Sequence, residues 1–336
     1  MPTTNHMLEL WAVMEAQNLM GINKKLYDSE CGNHIYASYA SDEQGYAISF
    51  LYPADLNIDV ARFQNLKKLR VSVYNDPLFV DRKLLHIQLK EAGLKVTFSW
   101  LCEGLIGEVK NLDSEAEVVK KVIGRLDKWR VLFDKQSSEL LSLQLQQGLY
   151  GELCFLYKLL LKSVFPPAEA VGYWVGPDPA LRDFQGDSWA VEVKTSAGSN
   201  PQGIIISSER QLDESLFDNL FLYHCSLEVS RNNGESLPQK IDRIRRYIAS
   251  DPAAISSFNG KLAQAGYRPE QESQYASRMY KVRDEHIYKI EKDFPRIKEN
   301  DLRGGVGETT YKIVLANCAE YAKPESFVFK ALQSHE

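Results

Sequence analysis

Apolar side chains at Leu8, Trp11 and Met14, with Leu19 less neatly placed, have a helical spacing and predict one amphipathic helix over residues 5–20, lidding the sheet after it. From Cys31 to Val109 the period contracts to two. YAISFLY, LRVSVYN, LLHIQLK and KVTFSWL read as short strands between turn-forming Asp, Gly, Asn and Pro. Residues 113–133 return to the helical period through Val118, Val119, Val122, Leu126 and Trp129, behind a cap at Asp113 or Ser114. The pattern therefore predicts a β-rich N-terminal unit, residues 1–137, closed by a long helix. It is assigned to target or partner recognition.

A second unit, residues 138–336, opens on a helical run over 138–162, broken near Gly148 and Gly151. FPPAEAVGYWVGPDP comes next as a loop-rich connection. GIIIS and LFLYHCSLEVS read as strands, with a helix-prone segment over 208–219 between them. Residues 239–292 read as a mainly helical insertion, and TTYKIVLANC returns to strand alternation. Strand, strand, helix, strand, preceded by a helix, predicts a layered α/β or α+β architecture.

Length and composition narrow this further. A chain of 336 residues with 44% hydrophobic content can bury two modest cores. A formal net charge of -5 excludes a whole-protein basic field, so any nucleic-acid surface must be local. Five scattered cysteines without a CxxC pair argue against a disulfide framework and a zinc ribbon, and point to a reduced compartment. The N-terminus lacks a signal-peptide pattern and no apolar run approaches ~18 residues. The expectation is a soluble cytoplasmic protein without a membrane partner.

The chemistry concentrates in 183–195, DFQGDSWAVEVKT. Side chains alternate along a strand, so Trp189, Val191 and Val193 share one face while Ala190, Glu192 and Lys194 share the other. A two-residue turn at Gly186-Asp187 would pair Phe184 with Trp189 and Asp183 with Ala190, setting Asp183 diagonal to Glu192. Diagonal Cβ atoms lie roughly 7 to 8 Å apart, within reach of one divalent cation held by both carboxylates. Lys194 would then orient or deprotonate the attacking water, or steady the phosphate. A register slip of one residue would turn Asp183 to the wrong side.

This D-x8-E-x-K spacing resembles the PD-(D/E)xK nuclease superfamily of restriction and repair enzymes. WVGPDPALRDF, VEVKT and IIISSERQLD, with GLYGEL upstream and FPRIKENDLRGGVGETTYKIVLANC downstream, look like the bacterial PD-(D/E)XK motif proteins, which resemble restriction endonucleases and tend to accompany methyltransferases and ATPases. The resemblance covers about the last two thirds of the chain. It implies a restriction-endonuclease-like core sheet flanked by helices, with Asp183 and Glu192 as metal ligands and Lys194 as the catalytic lysine. It further implies an acid on the preceding helix, for which Glu152 is the candidate. Arg182 stands where the family name has a proline; that proline shapes the strand start and performs no chemistry.

Other residues carry two readings each. Glu152 is in line with Leu156, Leu159 and Ser163, so it is either an active-site acid or a charge favoured by the helix N-terminus. Gln211 falls where some relatives of this fold place a glutamine near the active site, and is otherwise an exposed helix residue. Ser207 and Ser208 read as that helix's N-cap, and Thr195 and Ser196 as a turn or as phosphate contacts. His224 and Cys225 sit in a strand, with no paired zinc spacing.

Residues 231–300 hold fourteen Lys or Arg against ten Asp or Glu, opposite in sign to the whole chain. RIRRYIAS and SRMYKVRDEH interleave Arg with Tyr, types that contact phosphate and stack on bases. Arg243, Arg245, Arg246, Arg278, Lys281 and Arg283 are thus candidate borders of a nucleic-acid channel, against an ordinary solvated helix face with pairs such as Lys281–Glu285. Taken together, the expected activity is a Mg²⁺-dependent endodeoxyribonuclease of restriction or phage-defence type, with Mn²⁺ able to substitute. Asp183 and Glu192 hold the ion, the carbonyl of Val193 is a third protein ligand, and Glu152 assists a second ion. DNA is the expected partner, beside a methyltransferase, an ATPase and a second copy in a homodimer. The rival is a non-catalytic DNA-binding or assembly subunit.

Overall fold

The computed structural model describes residues 5–29, 34–43, 45–76, 79–134, 140–163, 165–176, 182–198 and 202–333. The chain divides into two compact units, residues 1–140 with 255–271, and residues 141–254 with 272–336. The expected junction between 137 and 138, and the start of the expected helix at 138, lie outside the described residues.

The first unit begins with α1 (His6–Gln17), capped by Asn5, whose side chain accepts from the Leu8 amide. Strands β1 (Ile22–Leu26), β2 (Ile35–Ala40), β3 (Gly45–Pro53), β4 (Leu69–Asn75) and β5 (Arg82–Leu89) form one antiparallel sheet in the order β1-β2-β3-β5-β4. Helices α2 (Lys95–Val109) and α3 (Glu115–Asp134) come after it. Trp11 stacks on Phe98 at 5.6 Å, and Trp129 meets Phe98 edge-on at 6.1 Å, tying all three helices into one aromatic core.

KVTFSWL is therefore helix rather than strand. Its seven residues are too few to separate the two periods. Phe98, Leu101, Cys102, Leu105, Ile106 and Val109 are all buried, and over fifteen residues their spacing is helical.

The second unit opens with α4 (Leu143–Leu161), capped by Ser142, and α5 (Pro167–Tyr173). The glycines expected to break α4 leave it continuous. A Cβ on Gly151 would lie 2.2 Å from Thr195 Cγ2, so this glycine lets the helix approach the sheet closely. Strands β6 (Phe184–Gln185), β7 (Trp189–Ser196), β8 (Gly203–Ile206), β9 (Asn219–Ser230) and β10 (Glu235–Ser236) come next, then α6 (Leu237–Tyr247). Helix α7 (Pro252–Gln264) spans the boundary at residue 255, where the chain re-enters the first unit, and α8 (Glu272–Tyr275) starts its return. The unit ends with β11 (Met279–Lys289), β12 (Tyr311–Val314), β13 (Ala322–Lys323) and α9 (Glu325–Gln333).

Its main sheet runs β10-β11-β9-β7-β6, with β13 on β11, and only the β7–β9 pair is parallel. Beside it, β8 and β12 form a two-stranded sheet. Helices packed with this mixed sheet give the α+β architecture expected from the sequence. Among the described residues no helix is long and apolar enough to cross a membrane.

Two further expectations fail here. The mainly helical insertion over 239–292 holds for α6, α7 and α8, but residues 279–289 are the long strand β11. A bulge between Val282 and Asp284 shifts its register against β9 and breaks the period-two signal in the sequence. The helix expected over 208–219 is a series of turns, because short polar side chains bond the local backbone instead. Ser208 Oγ accepts from the Arg210 amide at 3.2 Å, and Asp213 Oδ1 from the Ser215 amide at 3.0 Å.

Candidate active site

The hairpin β6–β7 holds the two carboxylates, in a register different from the expected one. Phe184 pairs with Val191 and Gln185 with Ala190, and the Gly186 amide donates to the Trp189 carbonyl at 2.9 Å. Asp187 and Ser188 thus form the turn, not Gly186 and Asp187. The offset is two residues, an even number, so Asp183 keeps its face but falls directly opposite Glu192 instead of diagonal to it. Much of the upstream WVGPDPALRDF motif, residues 177–181, lies outside the described residues.

Both faces of β7 are covered. Phe155 of α4 packs on Phe184 and Tyr223, on the side shared with Val191 and Val193. On the other side Ala190, Leu220, Leu222 and Tyr288 join Ile204, Ile206, Ile313 and Leu212 in one apolar cluster. Glu192 projects on this second side and is only 2% exposed. Its Oε1 accepts from Lys194 Nζ at 2.8 Å. Asp183 Oδ2 accepts from the Val193 amide at 2.7 Å, fixing the carboxylate against the strand.

Glu152 and Gln211 reach the same place from distant segments. Trp174 Nε1 donates to Glu152 Oε2 at 2.7 Å. Lys194 Nζ donates to Gln211 Oε1 at 3.3 Å, and the same oxygen accepts from the Ser207 amide at 2.8 Å. Gln211 therefore holds the lysine ammonium from a turn, not from a helix.

Burial raises the proton affinity of all three acids, and the Glu192 charge adds to it at Asp183 and Glu152. Burial first, then the Glu192 and Glu152 charges, push Asp183 well above the usual carboxylate range. Glu152 is raised to about 7, mainly by burial, with the Glu192 charge adding to it and the Trp174 hydrogen bond opposing. Burial also raises Glu192, against the pull of Lys194 and Arg182. Arg182, itself buried, donates to the Asp213 carbonyl at 2.6 Å and lies over the Phe217 ring.

Arg182 and Trp174 are the functional neighbours that sequence reasoning missed. Arg182 was legible only as the residue in the proline position. Trp174, within a quoted motif, carried no sign that its indole would meet a carboxylate 22 residues earlier.

Hard oxygen donors with unbalanced negative charge suit a divalent cation, which would remove the repulsion that now raises Asp183. Asp183 and Glu192, on one face and opposite each other, fit such an ion. Among the described residues, no group of three or more His, Cys, Asp or Glu side chains is arranged to hold a metal.

The basic residues lie elsewhere in this unit. Arg243, Arg245 and Arg246 are on α6, where Arg243 pairs with Glu235 at 2.8 Å and Arg245 with Asp242 at 3.1 Å. Arg278 precedes β11. Lys281 and Arg283 are exposed on β11, so Lys281 faces Glu228 across the ladder instead of sharing a helix face with Glu285. Arg283 donates to the Gly198 carbonyl at 2.7 Å, near the end of β7.

Residues 7–316 match the model of a family described as "Putative PD-(D/E)XK family member, (DUF4420)". No curated protein and no solved structure matches.

Proposed function

The chain belongs to this PD-(D/E)XK family, and on that premise we propose that it is a Mg²⁺-dependent endodeoxyribonuclease of restriction or phage-defence type, hydrolysing DNA phosphodiester bonds. One observation carries the reading. A buried carboxylate and a half-buried one oppose each other across a hairpin, while a lysine bonded to the buried one is held by a glutamine.

Asp183, Glu192 and the Val193 carbonyl are the residues that would hold the cation, with Glu152 assisting a second one. Such an ion supplies Lewis-acid polarisation of the phosphodiester and neutralises charge that grows in the transition state. The chain's own groups do the rest. Asp183, locked by the Val193 amide, keeps its carboxylate in place without reorganisation. Lys194, fixed between Glu192 and Gln211, orients the attacking water and steadies the phosphate with its ammonium charge. The apolar cluster beneath the strand excludes bulk water from this side of the sheet.

DNA would be steered by Arg243, Arg245, Arg246, Arg278, Lys281 and Arg283. Two-strand cleavage favours a homodimer, and a methyltransferase and an ATPase are the expected companions of a restriction-type system.

A second reading, a non-catalytic DNA-binding or assembly subunit, is favoured by one observation. Lys194 already neutralises Glu192, and no cage of three such ligands exists among the described residues. Plasmid nicking in Mg²⁺ or Mn²⁺ separates the two. The wild type is expected to nick, while Lys194→Ala and Asp183→Ala are inactive. Equal activity in all three overturns the nuclease reading, and activity in none leaves the binding subunit.

A further inference from the structure

Two residues beyond Lys194 the same face of β7 presents Ser196, the start of a polar chain that the proposed chemistry does not use. Ser196 Oγ lies 2.9 Å from His224 Nε2 on the adjacent strand and 3.4 Å from Gln202 Oε1. Gln202 Nε2 donates onward to Ser226 Oγ at 2.6 Å. His224 and Ser226 are buried, whereas Ser196 and Gln202 are only partly so. The chain thus opens toward solvent at Ser196.

The direction of the protons is set by an orphan. His224 Nδ1 is buried and has no hydrogen-bond partner among the described residues. A buried bare lone pair costs less than a buried unpaired N–H, so the ring places its proton on Nε2 and donates to Ser196 Oγ. Burial, with the facing His286 imidazole, lowers His224 to about 4 against the opposing Asp284 charge, keeping the ring neutral. The Ser196 hydroxyl proton is then left for Gln202 Oε1, across a long bond. An anionic oxygen would accept it better, since charge-assisted hydrogen bonds are roughly twice as strong as neutral ones.

Spacing says which anion. Residues i and i+2 on a strand are about 6.6 Å apart on one face, comparable to the step between consecutive phosphates of a nucleic-acid strand. Thr195, between them, points the other way, with its methyl group against Gly151 of α4.

Building on the nuclease reading above, we propose that Ser196, oriented by His224 and Gln202, binds the phosphate next to the scissile one on the same DNA strand, one strand-repeat beyond Lys194. Ser196 is a binding residue, while His224 and Gln202 are positioning residues.

The test uses the full chain and a duplex oligonucleotide whose cleavage position has been mapped. Kd is measured in Ca²⁺, and KM and kcat in Mg²⁺. Ser196→Ala should raise Kd and KM roughly tenfold, the equivalent of one hydrogen bond to a charged acceptor, with kcat within about twofold. Ser196→Thr, which keeps the hydroxyl, should restore most of the loss. In the unaltered protein, a methylphosphonate at the adjacent phosphate should weaken binding by a similar factor. Ser196→Ala should show no further loss on that substrate.

Unchanged Kd and KM in Ser196→Ala, or additive losses from the variant and the methylphosphonate, overturn the subsite while leaving the nuclease reading intact. Wild type that binds the duplex in Ca²⁺ without cutting overturns the nuclease reading, and the Kd comparison still decides the subsite. Absence of both binding and cutting overturns the two together.

Discussion

The two sheets bury polar groups in opposite ways. Inside the first, Ser38 Oγ lies 2.9 Å from Ser49 Oγ, which in turn lies 2.8 Å from His86 Nδ1, and burial lowers that histidine to about 4. Every member is neutral and has a hydrogen bond within the set, although His86 Nε2 is buried without a partner among the described residues. The second sheet buries Glu192 with Asp183 opposite it and Glu152 alongside, and the Glu192 charge, offset only in part by Lys194, still raises both. Neutral groups satisfied at short range make a core. Charges compensated only in part destabilise one, and so mark the place where a protein keeps strain for binding and chemistry.

Neutralising a member of the charged set should give the largest effect and break the symmetry of the comparison. Asp183→Asn is expected to reduce nicking by about a thousandfold or more, yet raise the melting temperature of the chelated protein, because a carboxyl whose ionised form burial and the neighbouring acids disfavour is gone. Mg²⁺ at a hundred times its Kd should stabilise the wild type by about 2.7 kcal/mol and the variant far less. A variant less stable than wild type in EDTA would refute the repulsion argument.

Gly151→Ala tests how the site is placed instead of what it contains. A Cβ 2.2 Å from Thr195 Cγ2 must push α4 off β7, costing roughly 1–3 kcal/mol by urea denaturation and carrying Glu152 away from Asp183. Loss of stability with unimpaired nicking would show that Glu152 is not needed.

In the neutral network, Ser49→Ala strands His86 Nδ1 and Ser38 Oγ together. It should cost about 1–3 kcal/mol and leave cleavage untouched.

The pH dependence of the chelated protein sharpens the contrast further. Glu152 has a folded-state pKa of about 7 against an ordinary 4.5. Below pH 4.5 it is protonated in both states and contributes no penalty. Between 4.5 and about 7 the unfolded chain releases the proton first, so stability falls as pH rises, and it levels off above that. Glu152→Gln should make this slope shallower in EDTA, the raised Asp183 and Glu192 carboxyls supplying the remainder. An unchanged slope would mean that the charge sits in water.

The smallest effect concerns the basic surface. Reversing Arg245 and Arg246 to Glu should reduce the slope of log affinity against log salt by about 0.9 per lost phosphate contact. An unchanged slope would reject both residues.

Much of the first sheet was legible, because period-two alternation in YAISFLY, LRVSVYN and LLHIQLK is a local signal. KVTFSWL and the segment 279–289 were not. The first is too short to show its period, and a bulge erases the second's. Asp183, Glu192 and Lys194 were legible by spacing, and Glu152 and Gln211 through the family resemblance. Nothing local marked Trp174 or Arg182 as their neighbours, since each bond joins segments tens of residues apart.

By itself the sequence determined the parity of the hairpin: side chains alternate, so any even register leaves Asp183 and Glu192 on one face. Only the tertiary structure decided which even register is used. The turn at Asp187-Ser188 and the bridge from Trp174 to Phe184 bring the carboxylates directly opposite. Packing of α4 through Gly151 and the turn at Gln211 then decided which groups hold the lysine and crowd the acids. Alternation is a property of the backbone of each residue, whereas these contacts depend on how several segments share one buried volume.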